Sequence, residues 1–219
     1  MLSIFNMMRK LKEPELVKQI ERTKAVRVDP PDEVVVENPT GLRLLSKGKK
    51  YALFQLDESH SVAVYTKAGK AEAQYFLLGQ GAKYGITPNA YAYGDYYVVM
   101  DLVPVFRLEG YLEENEFTRE LAAKILELHR RSKEAGFTGG HAPKDIIMLP
   151  NGSLMAVNVS NKYTPPDFPP KSLLKGLGNR VRDFLRHVRE LEPALYEQWV
   201  RHPEASKYVG KEVTWRVFR

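Results

Sequence analysis

Two kinds of hydrophobic spacing divide this chain. Between Glu33 and Asp101, β-branched and aromatic residues gather in short runs at 33–37, 42–45, 51–56, 61–66, 90–93 and 96–101. Runs of that length, bounded by turn residues such as Asn38-Pro39, Lys47-Gly48 and 57–59, read as an antiparallel meander of strands. One helical segment, 69–79, interrupts them and is expected to stop at Gly79; Gly94-Asp95 is a hairpin signal between the last two runs. From Phe117 onward the spacing changes. Phe117, Leu121, Ile125 and Leu128 fall at i, i+4, i+8 and i+11, the stripe of a helix packed on a core, which Gly136 ends.

After a loop at 138–144, two short strands, 146–149 and 154–157, flank the turn Pro150-Asn151-Gly152. A Pro-rich connector at 164–170 leads to one long helix over 171–191, carried by Leu174, Leu177, Val181, Leu185, Val188 and Leu191. Another helix runs from Pro193 through Trp199. At the other end, 3–24 reads as one or two helices broken near Pro14, with Ile4, Phe5, Met8 and Leu11 on one face, and Pro30-Pro31 ends the region. The expected class is α+β with two lobes and a cleft between them. The expected divisions are a helical extension at 1–32, a β-rich part at 33–103 and a helical part at 104–219.

At 219 residues and 43% hydrophobic, the chain can bury a sizeable core. It has no cysteine, which excludes disulfides, thiol catalysis and Cys-ligated metal, and fits a reducing compartment. No apolar run reaches the roughly 18–20 residues that span a bilayer. In Met1–Leu11 the apolar residues precede the basic ones, the reverse of a signal peptide. A soluble, cytoplasmic protein is the expectation.

The formal charge of +6 is uneven: net +4 over 1–50, −3 over 51–170 and +5 over 171–219. Basic ends suit nucleic acid or an anionic membrane surface, and Arg182, Arg186 and Arg189 are the residues to test. They read equally as solvated helix faces, and no zinc-finger spacing, RNP signature or GXXG loop accompanies them.

Three stretches carry a family resemblance. Tyr97-Val98-Val99-Met100-Asp101-Leu102 resembles the strand leading into a nucleotide-binding hinge. Ala135-Gly136-Phe137 followed by Pro143-Lys144-Asp145-Ile146-Ile147-Met148-Leu149 is similar to a catalytic loop running into its strand. The segment 151–160, Asn151-Gly152-Ser153-Leu154-Met155-Ala156-Val157-Asn158-Val159-Ser160, is similar to the hairpin with a DFG-type turn. Together, over roughly 42–160, the chain resembles the protein-kinase-like superfamily, in particular small bacterial RIO-like serine/threonine kinase relatives. That resemblance implies a β-rich N-lobe, a helical C-lobe, and ATP and Mg²⁺ as the cofactors to look for. It implies Met100 as gatekeeper and the backbone of Asp101 to Val103 as the adenine contact.

Kinase chemistry needs a phosphate cradle, a lysine on the phosphates, metal ligands and an aspartate for the nucleophile. The resemblance puts the aspartate five residues before the metal-binding asparagine, and that position is Gly140. Asp145 stands at the asparagine position and Asn158 at the DFG-type aspartate, so the two metal ligands are exchanged. Tyr65 replaces the strand lysine in Val62-Ala63-Val64-Tyr65. Lys67, two residues on, would share its face if the strand continued. The loop around Gly48 holds one glycine, with Lys47, Lys49 and Lys50 to attract phosphate, and Glu72 has no lysine partner. His141, beside the empty base position, titrates near neutrality and could act as a base.

Each residue also has a plainer reading. Asp145 can be a turn carboxylate, Asn158 a turn residue, His141 a loop histidine in a structural hydrogen bond, and Lys67 an exposed edge lysine. The losses at Gly140, Tyr65 and Asn158 point to a pseudokinase, a binding or regulatory module whose partner is a protein. The alternative is an atypical active phosphotransferase that uses Asp145 on metal.

Overall fold

The computed structural model describes residues 14–26, 33–103, 106–137, 140–159 and 168–209. The helix expected from Ile4 to Leu11, the Pro30-Pro31 stop, Thr138, Ser160 and most of the 164–170 connector lie outside the described residues. The architecture is α+β with antiparallel sheets. The chain forms two compact units, Met1–Ala82 with Pro88–Val103, and Lys83–Thr87 with Pro104–Arg219.

The first unit is built on a five-stranded sheet. Helix α1 (Pro14–Arg22) leads into β1 (Lys24–Val26), which pairs with β2 (Val35–Glu37), Ala25 opposite Val36. Then come β3 (Arg43–Lys47), β4 (Tyr51–Gln55), β5 (His60–Tyr65), helix α2 (Lys70–Ala82), β6 (Ala90–Tyr93) and β7 (Tyr97–Asp101). The strand order is β3-β4-β5-β7-β6, all neighbours antiparallel, so the chain crosses over through α2.

Alternation along the strands sends Ala52, Phe54, Val62, Val64 and Val99 to one face. There they form a core with Ile20, Ala25 and Val34. The segment expected as a separate helical extension therefore contributes two residues to this core. On the other face α2 packs against β5, β6 and β7, burying Ala71 and Leu78. Covered on both faces, β5 reads as a continuous apolar run rather than an alternating one.

Helix α2 does not stop at Gly79; it runs on to Ala82. A mid-helix glycine costs about 1 kcal/mol. Burial of Leu78 and Gly81 around it outweighs that local preference.

The second unit is mainly helical. Helix α3 (Leu108–Glu114) precedes α4 (Arg119–Glu134). Thr118 caps α4 through its Oγ1, which accepts the Leu121 N–H at 3.2 Å. The stripe from Phe117 to Leu128 is buried as its spacing requires. Gly136, at φ +82°, ends the helix. A short 3-10 turn, Pro143–Asp145, feeds β8 (Ile146–Met148), which pairs with β9 (Leu154–Ala156) around Gly152.

Four more helices follow: α5 (Lys171–Gly176), α6 (Val181–Leu191), α7 (Pro193–Val200) and α8 (Pro203–Ser206). The single helix expected over 171–191 is broken at Gly178, which takes φ +55°. The apolar residues from Leu174 to Val188 remain buried on either side of the break. The segment 83–87 belongs here too. Ile86 is fully buried and its carbonyl accepts the Ala156 N–H at 2.7 Å. Arg131 Nη1 donates to the carbonyls of Tyr84 and Gly85, each at 3.3 Å. Among the described residues, no helix is long and apolar enough to cross a membrane.

Candidate functional site

In the second unit the expected metal residues meet. Pro143 starts the 3-10 turn and Asp145 ends it, its N–H donating to the Ala142 carbonyl at 2.8 Å. The Asp145 carbonyl accepts the Val157 N–H at 2.9 Å, which brings the residue after β9 alongside. Asn158 Nδ2 then donates to Asp145 Oδ1 at 3.2 Å. Asp145 is half-buried and Asn158 is exposed.

The pair can offer a cation one carboxylate oxygen and, after the Asn158 amide turns over, one neutral oxygen. Mg²⁺ accepts such a minimal protein set when phosphates and water complete its octahedron. Among the described residues, no cluster of three or more His, Cys, Asp or Glu could hold a metal without that help. Behind the pair, Arg107 Nη1 donates to the Lys144 carbonyl at 3.0 Å and ties the turn to the chain before α3.

The base position is closed. Gly140 takes φ +69°, and a Cβ there would stand 2.6 Å from Pro170 Cβ and 3.0 Å from its Cα. His141 turns into the core, with 7% of its surface exposed. Its Nε2 lies 3.0 Å from Ser132 Oγ, which itself donates to the Leu128 carbonyl at 2.7 Å. Burial pushes the imidazole down to about 4, so it is neutral at physiological pH. That environment fits the structural hydrogen bond and holds the ring away from solvent.

The remaining candidates lie in the first unit. Met100 and Val103 are half-buried. Between them, the Asp101 N–H donates to the Asn89 carbonyl at 3.0 Å, and the Asp101 carbonyl accepts Ser61 Oγ at 3.1 Å. The Leu102 N–H donates to the Ser59 carbonyl at 2.7 Å. The Asp101 carboxylate accepts the Asn89 N–H and Nδ2, both at 2.9 Å, and the Tyr91 hydroxyl. Much of the backbone polarity at Asp101 and Leu102, the residues expected to form a hinge, is thus answered within the sheet.

No protein-family model matches the chain, and no curated protein matches it.

Gly48 sits in the β3–β4 turn. Its N–H donates to the Tyr51 carbonyl at 3.0 Å and its carbonyl accepts the Val34 N–H at 2.9 Å. That N–H closes a hairpin rather than cradling a phosphate. β5 ends at Tyr65, so Lys67 lies in the following turn and is exposed, not on the strand face expected for it. Tyr65 is half-buried, with its ring 5.5 Å from that of Tyr51. Burial, then the neighbouring Tyr51, hold its phenol far above the usual range, so this position carries no charge. Glu72 Oε1 accepts the Tyr93 hydroxyl at 3.3 Å.

Asn89, Tyr91, Ser61, Arg107 and Ser132 shape these positions and were missed by sequence reasoning. Asn89 and Tyr91 alternate at a strand start, and that period-two pair beside an apolar strand was the available signal. The three arginines of α6 also read differently. Asp183 and Glu190 on the helix offset two of the three charges, Glu192 follows at its C-terminal end, and Arg186 Nη2 lies 3.0 Å from Asp183 Oδ1. Most of the C-terminal positive excess therefore lies outside α6.

Proposed function

We propose that the chain is a degenerate member of the protein-kinase-like superfamily, a pseudokinase that binds or regulates a partner protein rather than transferring phosphate. In this reading the two units are the sheet-bearing and helical lobes of that fold. Three strands, a helix, two strands, a long helix and a small hairpin in that order support it.

The observation that carries the reading is the closed space at Gly140. No aspartate fits where the nucleophile's proton would be taken, because Pro170 occupies the volume a Cβ needs. Loss of a general base lowers a rate by about 10²–10⁴-fold. A neutral tyrosine at the lysine position also weakens the electrostatic stabilisation of transferring phosphate, commonly the largest contribution. These losses act on one unit of chemistry and need not multiply.

One observation favours the alternative, an atypical active ATP-dependent serine/threonine kinase or small phosphotransferase. Asp145 and Asn158 do touch, and a metal held by phosphates could use them. A thermal-shift titration with ATP, with and without Mg²⁺, separates the two. A ligand at 100 times its Kd stabilises by about 2.7 kcal/mol. The pseudokinase reading expects a smaller shift at millimolar ATP and no phosphate transfer. A Mg²⁺-dependent shift of that size, with turnover abolished by Asp145→Ala, would replace it with the alternative.

A further inference from the structure

A cavity of the first unit lies away from residues Met100 to Val103, at the end of the sheet where α1 and β1 meet the β6–β7 turn. Its volume is about 570 Å³, within the roughly 300–1,000 Å³ usual for small-molecule sites. Ile20, Ala25 and Val64 give it an apolar floor, continuous with the core. Tyr65, Tyr96 and Tyr97 give it aromatic walls. The tyrosine that replaces a lysine on β5 is thus one wall of this cavity.

The wall is fitted at one point in particular. A Cβ on Gly94 would stand 2.4 Å from Tyr97 Cε1 and 2.8 Å from its Cζ. Glycine at 94 leaves the volume in which that ring lies. Gly94 has no positive φ, so a side chain there would act through the ring and not through backbone strain.

The rim is charged. Glu21, Lys24 and Asp95 line the cavity and are exposed, and among the described residues none of them makes an ion pair. The balance is one negative charge. Burial first, then the Glu21 and Asp95 carboxylates, raise the Tyr97 phenol above its usual value near 10, so both carboxylates reach that ring electrostatically. Aromatic faces attract cations, and two carboxylates add to that attraction, whereas an anion would meet repulsion from both.

We propose that this cavity binds an organic cation, an ammonium or guanidinium group carried on an apolar stem that fills the floor. The site does not depend on the kinase-like reading, and it uses none of the hinge or Asp145 residues.

Calorimetric titration of the full chain with phenethylammonium, 2-phenylethanol and phenylacetate tests it, since the three share a stem and differ in charge. Phenethylammonium should bind about tenfold tighter than phenylacetate, with the alcohol between. Glu21→Gln combined with Asp95→Asn should shrink that preference to about threefold or less. Lys24→Gln, a surface change that leaves the cavity walls intact, should strengthen the ammonium probe by a few-fold. Gly94→Ala should weaken all three probes by displacing Tyr97. A parallel titration with a short blocked peptide bearing one arginine separates two sources: tighter binding than phenethylammonium assigns the cation to a partner's side chain, weaker binding to a free amine. Equal affinity for the three probes, no binding of phenethylammonium at 10 mM, or a Lys24→Gln protein that binds it more weakly overturns the proposal.

Discussion

Gly140 and Pro170 are packed so closely that a Cβ added to the glycine would stand 2.6 Å from the proline Cβ. Pro170 is itself buried and its carbonyl accepts the first backbone bond of α5, from Leu174 at 3.0 Å, so it cannot retreat without disturbing that helix. A side chain at position 140 is therefore excluded by shape.

Gly140→Asp should show no phosphate transfer and should unfold more easily. A non-glycine residue at φ +69° costs about 1–2 kcal/mol, and forced overpacking adds about 1–3 kcal/mol. Urea denaturation should show a loss of about 2–5 kcal/mol. A neutral variant with new phosphotransferase activity would show that Pro170 yields readily.

Acid should weaken the second unit through two buried imidazoles. Burial holds His129 and His141 down to about 4, with the Lys133 and His141 charges adding to the effect on His129. Both folded values lie below the ordinary 6.5, so the unfolded chain takes up these protons first. Their contribution is intact above about pH 6.5 and is lost as pH falls towards 4. The slope should be about 1.4 kcal/mol per pH unit for each histidine, or about 3 kcal/mol apiece across the window. Urea midpoints measured from pH 7 to 4 should show it, and His141→Gln should remove about half the slope. A slope unchanged by that variant would assign the acid loss elsewhere.

Asp101 holds the end of β7 through Asn89 and Tyr91. Asp101→Ala should cost about 2 kcal/mol, because hydrogen bonds to a charged group contribute about 1.5–3 kcal/mol each and this one is half-buried. Tyr91→Phe should cost about 1 kcal/mol. The double variant should cost less than the sum by about 1 kcal/mol, since the two share a bond. Strict additivity in a four-protein cycle would deny the coupling.

Glu204 links α5 to its own helix α8. Lys171 Nζ lies 2.6 Å from its Oε1 and Lys207 Nζ 2.9 Å from its Oε2. Those two hydrogen bonds hold its carboxyl down to about 2. Carboxyl NMR titration should find Glu204 ionised well below the range of its neighbours, and Lys171→Met should bring its midpoint back up towards the usual 4.5. A midpoint indifferent to that change would mean the bridge does not persist in solution.

The sequence reveals the elements whose signals are local. The stripe Phe117, Leu121, Ile125, Leu128 announces α4, and the turn Pro150-Asn151-Gly152 announces the β8–β9 hairpin. It hides what depends on distant packing. Gly79 looks like a stop until Leu78 is seen buried beneath it, and α3 offers only Leu108 and Leu112 as inward residues across seven positions. β1 is three residues long, too short for alternation to register. At the candidate site, hairpin spacing alone brings Asp145 near Asn158. The burial of His141 was illegible because its partner, Ser132, sits on the preceding helix, and the crowding of Gly140 comes from Pro170, thirty residues away.

Residues 83–87 give the helical unit a piece of itself that is encoded inside the other unit. Severing the polypeptide after Val103 does not yield two autonomous halves. The downstream fragment would present an empty hollow where Ile86 belongs, an Ala156 amide without its acceptor and an Arg131 deprived of two carbonyls. Gene fission, domain shuffling or limited proteolysis at that boundary would release a sticky remnant, so the two units are bound to be inherited together.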